Sequence, residues 1–438
     1  MLIARLRHTN SIYLLAIVFS IAIFVLPSNL FKVWRLPDAY LAGHFIDYLA
    51  PKLYLSQLII WFLWLITLLT TRGRAHLKAN FGRLKSSAYF ALGLCALTIL
   101  HFLIWRDLST VWWILGFLAG PFLLLVWILV FPALQKYWLW WSLLTAATIQ
   151  AIIGIQQYIT QSSWLGYDLL GEATFLPNQG LAVSNFSSTV HWLPYGTTPH
   201  PNVLAAWLVI GILSAFFLWY INNIKSWLIV ISTGLIGLCL WWTESWTAWL
   251  SLPILLGSWL IIRAGWLERF GLFSAKIVAV SLICLIQLIW LSSHLWLTSL
   301  TSQLDDKLLN NTSIERRIHL QANAINYLEE NPAGTSLTKY YQSVYQAEQN
   351  YTGTRFLQPV HHAGLYFVIV MGVWTIIVLL LFAYLVHNIY SLYFLISLAV
   401  LPIFNLDHYL LSLLSGQYVL IILLCYFVFL TYKYRHYK

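Results

Sequence analysis

Charge is what this chain lacks most. Only 9% of its 438 residues are Asp, Glu, Lys or Arg, whereas 60% are hydrophobic and the mean hydropathy is +0.76. So little polar surface cannot cover a soluble globule of this length, and the composition predicts an integral membrane protein. Acids are the scarcer sign, 14 against 24 Lys and Arg. The resulting charge of +10 reads as membrane topology and attraction to anionic lipid, and nucleic acid is excluded as a partner. Cysteine is rare too: Cys95, Cys239, Cys284 and Cys425 lie far apart inside apolar runs, which excludes a disulfide framework and a CxxC metal site. The chain has no P-loop, GxGxxG, HExxH or GxSxG, no repeat of fixed period and no low-complexity tract. Asp305 and Asp306 are adjacent instead of spaced as DxD, so neither a metal nor a cofactor is expected.

What is abundant is apolar length. Runs able to cross roughly 30 Å of hydrocarbon fall near 11–27, 53–71, 87–105, 111–132, 138–158, 201–221, 227–243, 245–262, 277–297, 365–386, 390–404 and 415–432. The expectation is an all-α polytopic bundle of about twelve membrane helices. Aromatic residues reach 17%, a composition suited to headgroup depth. Arg5, Arg7, the cluster Arg72 to Lys85, and the tail from Lys433 fall on one side of this scheme, which predicts cytoplasmic termini by the positive-inside rule. The chain then divides into helices over 1–158, an outer polar loop at 159–200, helices over 201–297, a long outer loop with an amphipathic helix at 298–364, and helices over 365–438. Ionisable groups within the runs are nearly absent, His101 and His387 lying near helix ends. That scarcity disfavours an ion-coupled pump and leaves a passive lipid or glycan flippase open.

Polar chemistry gathers in the two outer loops. In 195–206, YGTTPHPNVLAA, Pro201 suits the first turn of a helix, with Thr198 or its neighbours as cap; His200 and Asn202 add hydrogen-bonding groups at the interface. The stretch 358–367, QPVHHAGLYF, sets His361 and His362 before another apolar run, and a neutral imidazole is a suitable general base near pH 7. Between them, IERRIHLQANAINYLEENP carries Ile314, Ile318, Ala322, Ile325 and Leu328 at helical spacing, stopped by Pro332 and Gly334. Arg316 and Arg317 at its start are either solvated charges or a guanidinium pair for a diphosphate, to which Lys339 and Arg355 could contribute.

These stretches together resemble the O-antigen ligase and polymerase family and its relatives among bacterial O-oligosaccharyltransferases. The resemblance rests on TyrGlyThr-x-x-HisProAsn-x-Leu at 195–204, Thr243-x-Ser245 with Ala248 and Trp249, Arg317-x-x-Leu-x-x-x-Ala324, ProAlaGly at 332–334, GlnProValHis at 358–361, and Asp407-His408-Tyr409 with Gly416-Gln417. It covers about the last 250 residues; the first 150 match only as hydrophobic spans. Leu193 and Trp246 stand where the family often has arginine, His362 where asparagine is usual, Val370 where glutamate is common, and Ser336 in place of a second glycine.

The resemblance implies a C-type glycosyltransferase architecture in a bacterial cytoplasmic membrane. Its donor would be a glycan on an undecaprenyl diphosphate carrier, and its acceptor a hydroxyl on a glycan, lipid or protein. It implies His361 as general base and Arg317 as diphosphate ligand, with His200 and Asn202 at the rim and Arg316, Arg355, His362 and Lys339 assisting. Two other classes share the same scaffold: a lipid or glycan transporter, and an inactive relative that binds a lipid-linked glycan or scaffolds an envelope complex.

Overall fold

A computed structural model describes residues 2–131, 135–176, 181–184, 190–221, 223–253, 312–351, 359–378 and 409–435. Among them, helices dominate and the strands are only two or three residues long. Helix α1 (Leu2–Val25) is followed by a small cap at 28–54, then α2 (Leu55–Leu69), α3 (Thr71–Ala79), α4 (Phe81–Trp105), α5 (Leu108–Phe117) and α6 (Leu123–Val130). After these come α7 (Trp140–Thr160), the short α8 (Tyr167–Leu170), α9 (Pro201–Phe216) and α10 (Trp227–Trp242). The later helices are α11 (Thr312–Glu330), α12 (Leu337–Tyr351), α13 (Ala363–Met371), α14 (Tyr409–Ser412) and α15 (Leu414–Arg435).

The described residues do not carry twelve spans. Four helical stretches are long and apolar enough to cross a bilayer: Phe81–Trp105, Leu108–Val130, Tyr137–Thr160 and Pro201–Trp219. The run expected as a span at 53–71 folds as the single 15-residue helix α2, which ends in a sharp corner. Helices α2 and α3 meet at 92°, because Thr70 turns extended and caps α3 by accepting from Gly73 N at 3.2 Å. Arg74 then donates to the Leu68 and Leu69 carbonyls at 2.9 and 3.0 Å, satisfying the end of α2. Helix α10, at 16 residues, is short for a crossing. The runs at 277–297 and 390–404, with 254–262 of the run at 245–262 and 379–386 of the run at 365–386, lie outside the described residues.

The core forms where α7 packs against α1, α9 and α10. Small residues let the backbones approach closely: a Cβ added to Gly211 of α9 would come within 2.4 Å of Ala147 on α7. Large rings fill the remaining space, Trp140 stacking on Phe217 at 4.3 Å and Trp127 lying between Phe19 and Phe131 at 4.5 Å from each. Cys239 and Cys425 are buried and unoxidised, so packing is their role as expected; Cys284 lies outside the described residues.

The cap at 28–54 is structure that hydropathy does not reveal. Strand β1 (Phe31–Val33) pairs antiparallel with β4 (Lys52–Tyr54), while β2 (Tyr40–Leu41) and β3 (His44–Phe45) form a hairpin between them. Ala42 and Gly43 make its turn with φ of 48° and 82°, the left-handed pair that two-residue hairpins need. The cap also reaches α12, Tyr48 stacking on Tyr341 at 5.6 Å.

Candidate functional site

Both histidine-bearing helix starts use the same device. His200 is the N-cap of α9 and accepts from Asn202 N through Nδ1 at 3.1 Å; His362 is the N-cap of α13 and accepts from Leu365 N through Nδ1 at 3.0 Å. The cap of α9 is therefore His200 itself, not Thr198. An accepting Nδ1 places the ring proton on Nε2. The carbonyl of His200 takes Val203 N and Leu204 N, and that of His362 takes Tyr366 N. At α9 the first amides are thus already committed, so this helix start does not present the free N–H groups that a phosphate would use.

The YGTT stretch is clamped by two glutamines two turns apart on one face of α7. Gln150 accepts from Thr197 N and donates to Thr197 Oγ1, each at 2.8 Å. Gln157 accepts from Tyr195 N and Gly196 N at 2.9 and 2.8 Å and donates to Gly196 O and to Glu172. The Glu172 carboxylate is fully buried, and the amides of Trp164, Leu165 and Gly166 also point at it. Burial pushes the Tyr195 phenol up to about 12; its oxygen accepts from Ala182 N. This loop is a buried, hydrogen-bonded support directly before His200. Leu193 beside it is buried, and Trp246 is exposed and packs on Trp249.

The second centre is built from α11, α12 and the start of α13. Helix α11 stops before Pro332 as the sequence predicts, but its buried face is not the expected one. Leu320, Gln321 and Ala324 are buried whereas Ala322, Ile325 and Leu328 are only half-buried, a rotation of roughly a quarter turn at 100° per residue. Arg317, three, four and seven positions before those buried residues, shares their face and is itself half-buried. Helix α11 packs against α13, which begins directly after His361 and His362. The fold therefore brings the Arg317 helix against the helix that the two histidines open. The side chain of Arg316 and all of Arg355 lie outside the described residues.

His361 is half-buried at a bend, held in place by its neighbour: Tyr340 Oη accepts from Val360 N at 3.0 Å. His362 is 3% exposed, and its Nε2 meets no hydrogen-bond partner among the described residues. Burial pushes its pKa down to about 4, so the ring is neutral and keeps an unsatisfied N–H. Gly364 leaves the space for that ring, since a Cβ there would lie 3.2 Å from His362 Cε1. Lys339 is exposed on α12 with its ammonium 5.0 Å from the centre of the Trp105 ring, a cation–π contact.

The ProAlaGly motif at 332–334 forms a tight backbone junction, while Gln358, Asp407 and His408 lie outside the described residues. Gly334 (φ 90°) and Gly372 (φ 52°) cross so closely that a Cβ on Gly372 would lie 2.1 Å from Ala333 C and Gly334 N. His101 Nε2 sits 3.1 Å from Thr335 O and 3.3 Å from Val370 O, donating across the same junction. Ser336 caps α12 by accepting from Lys339 N at 3.1 Å, a start signal legible in Ser-Leu-Thr-Lys. Asp107 escaped the sequence reading: it caps α5 through Ser109 N and Thr110 N and also binds Leu337 N and Thr338 Oγ1 at the start of α12. No family model, curated protein or solved structure matches this chain.

Proposed function

We propose that this is a membrane-embedded transferase of the O-antigen ligase and polymerase type. It would pass a glycan from a polyprenyl diphosphate carrier to a hydroxyl at the outer face of a bacterial cytoplasmic membrane, with both termini cytoplasmic. His361 takes the proton from the acceptor hydroxyl as it attacks the anomeric carbon. The carrier diphosphate departs with the bonding electrons, and Arg317, assisted by Arg316 and Arg355, meets the charge developing there. The observation that carries this reading is the half-buried Arg317 on the packed face of α11, a helix lying against the one that His361 and His362 open. Arg317 carries a permanent charge on that packed face, and its guanidinium fork matches the oxygens of a diphosphate.

Lys339 drops out of the anion set in this reading, because its ammonium lies over Trp105. His362 takes a positioning role, offering its Nε2–H to a ligand oxygen beside His361. The test is reconstitution in vesicles with a polyprenyl diphosphate oligosaccharide, scoring transfer and flipping separately. His361→Ala should abolish transfer; transfer at the unsubstituted rate would refute the assignment, and flipping without transfer would favour a transporter.

The self-capped start of α9, with Leu193 buried and Trp246 exposed where the related family often has arginine, supports the second reading, a protein that binds lipid-linked glycan without transferring it. In that case Arg317→Ala weakens carrier binding while no variant alters a rate.

A further inference from the structure

Helix α2 runs from the cap to the corner at Thr70, and beyond that corner the chain gathers its cations. Helix α3 leaves α2 at 92°. The turn is tight enough that a Cβ on Gly73 would lie 2.0 Å from Thr67 O, so only glycine admits the approach. One face of α3 docks on the bundle: Gly73 is buried, Leu77 packs against the core, and the His76 ring meets Phe131 at 5.2 Å. The opposite face carries Arg74 and Lys78 one turn apart, with Ala75 and Ala79 beside them, all exposed. Helix α4 begins after Asn80 and adds Arg83 and Lys85, exposed as well.

Two of these charges are tethered, and none has a carboxylate near it in the chain. Arg74 is held through Nη1 to the Leu68 and Leu69 carbonyls, and Arg83 through Nη1 to Leu129 O at 2.7 Å, near the end of α6. Each guanidinium has further N–H donors beyond those bonds. No Asp or Glu occurs between Asp47 and Asp107. The first precedes α2 and the second follows α4, so helix lengths of roughly 22 and 37 Å, at 1.5 Å per residue, separate them from this surface.

Apolar side chains flank the basic face and narrow the choice of partner. Leu69 before the corner and Phe81 after α3 are each 65% exposed. That pattern suits a bilayer interface, where the rings and branched chains enter the acyl region while the cations stay at phosphate depth. A soluble anion would leave both side chains in water. A zwitterionic lipid would bring its own ammonium to a surface already rich in cations. An anionic phospholipid meets both demands, because its phosphate charge is uncompensated and its chains cover Leu69 and Phe81. The positive-inside rule assigns this cluster to the cytoplasmic side, where the leaflet is anionic.

We propose that α3 and the start of α4 form a binding surface for anionic phospholipid headgroups, with Arg74, Lys78 and Arg83 as the phosphate ligands. The surface does not depend on transfer chemistry: a glycan-binding protein that catalyses nothing would still have it. Native mass spectrometry of the full chain in detergent, titrated with phosphatidylglycerol and separately with phosphatidylcholine of the same acyl chains, would test it. Phosphatidylglycerol should bind about tenfold more tightly, and Lys78→Glu should cut that preference about fivefold. Lys78 is exposed, so this variant reports on the surface even if Arg74→Gln or Arg83→Gln, which also release helix-end carbonyls, do not fold. Lys32→Glu, the same charge change on the exposed side of the cap, should leave the preference unchanged. Arg317→Ala should leave it unchanged too, which separates this surface from the proposed carrier site. Equal affinity for the two lipids, a preference indifferent to Lys78→Glu, or one lost equally through Lys32→Glu would each overturn the proposal. Displacement of phosphatidylglycerol by an equimolar acidic peptide would overturn it as well, and would assign the surface to a protein partner.

Discussion

Asp107 holds Thr338 from 231 residues away: its Oδ1 accepts the threonine hydroxyl at 2.8 Å while its Oδ2 accepts Leu337 N at 3.0 Å. One buried carboxylate thus caps α12 as well as its own helix α5. Asp107→Ala should cost on the order of 2–4 kcal/mol, because two caps are lost and buried donors are left unmet. A lowered thermal midpoint in detergent, with Asp107→Asn falling between wild type and Ala, would bear this out; equal midpoints would refute it.

Gly334 and Gly372 admit no side chain. Gly372→Ala should prevent accumulation of folded protein, since its Cβ would overlap the Ala333–Gly334 peptide. Size-exclusion chromatography after expression provides the check. The exposed and unencumbered Gly82, changed to Ala, serves as the tolerant control.

Stability should fall on acidification through His362. Its folded pKa of about 4 lies below the ordinary histidine value of 6.5, so between those pH values the unfolded chain binds more protons than the folded one. The contribution is complete above pH 6.5 and is lost as pH falls toward 4, with a slope of up to about 1.4 kcal/mol per pH unit. His362→Asn keeps a capping side chain without the titrating ring. Its midpoint should therefore change less between pH 7.5 and pH 5 than that of the wild type, and parallel pH profiles would argue against the effect.

Lys339→Met should leave carrier binding within about twofold and cost no more than about 1 kcal/mol, the scale of one exposed cation–π contact. A tenfold loss of binding to polyprenyl diphosphate vesicles would instead return Lys339 to the anion site.

Local signals are the ones that can be read directly from this sequence. Pro201 at the first turn of α9 and the stop of α11 at Pro332 follow from the backbone chemistry of proline. The apolar runs at 87–105, 111–132, 138–158 and 201–221 correspond to helices because length and hydropathy suffice for them. Hydropathy is blind to the corner at Thr70, which depends on one hydroxyl and one guanidinium. Composition also cannot show that Gln150 and Gln157 serve as clamps, since their partners are backbone groups about 40 residues away. The buried face of α11 was displaced for a related reason: Gln321 is buried and Ile325 only half-buried, so the partner surface outweighs the helix's own pattern. In the candidate site His361, His362 and Arg317 could be picked out by residue type, whereas the capping roles of His200 and His362 required the fold.

The junction between Asp107 and Leu337 also sets a schedule for assembly. These partners are 230 residues apart, and at 5–20 residues per second a ribosome would need roughly ten to fifty seconds to deliver the second after the first. Trp113 must wait longer still for the Leu411 carbonyl, 298 residues on. Throughout that interval the early helices sit in the bilayer with the Asp107 carboxylate, the His101 imidazole and the Trp113 indole unmatched, vulnerable to quality-control proteases. A nascent chain released before residue 337 should therefore be degraded as an unfinished product, however stably its first helices have inserted.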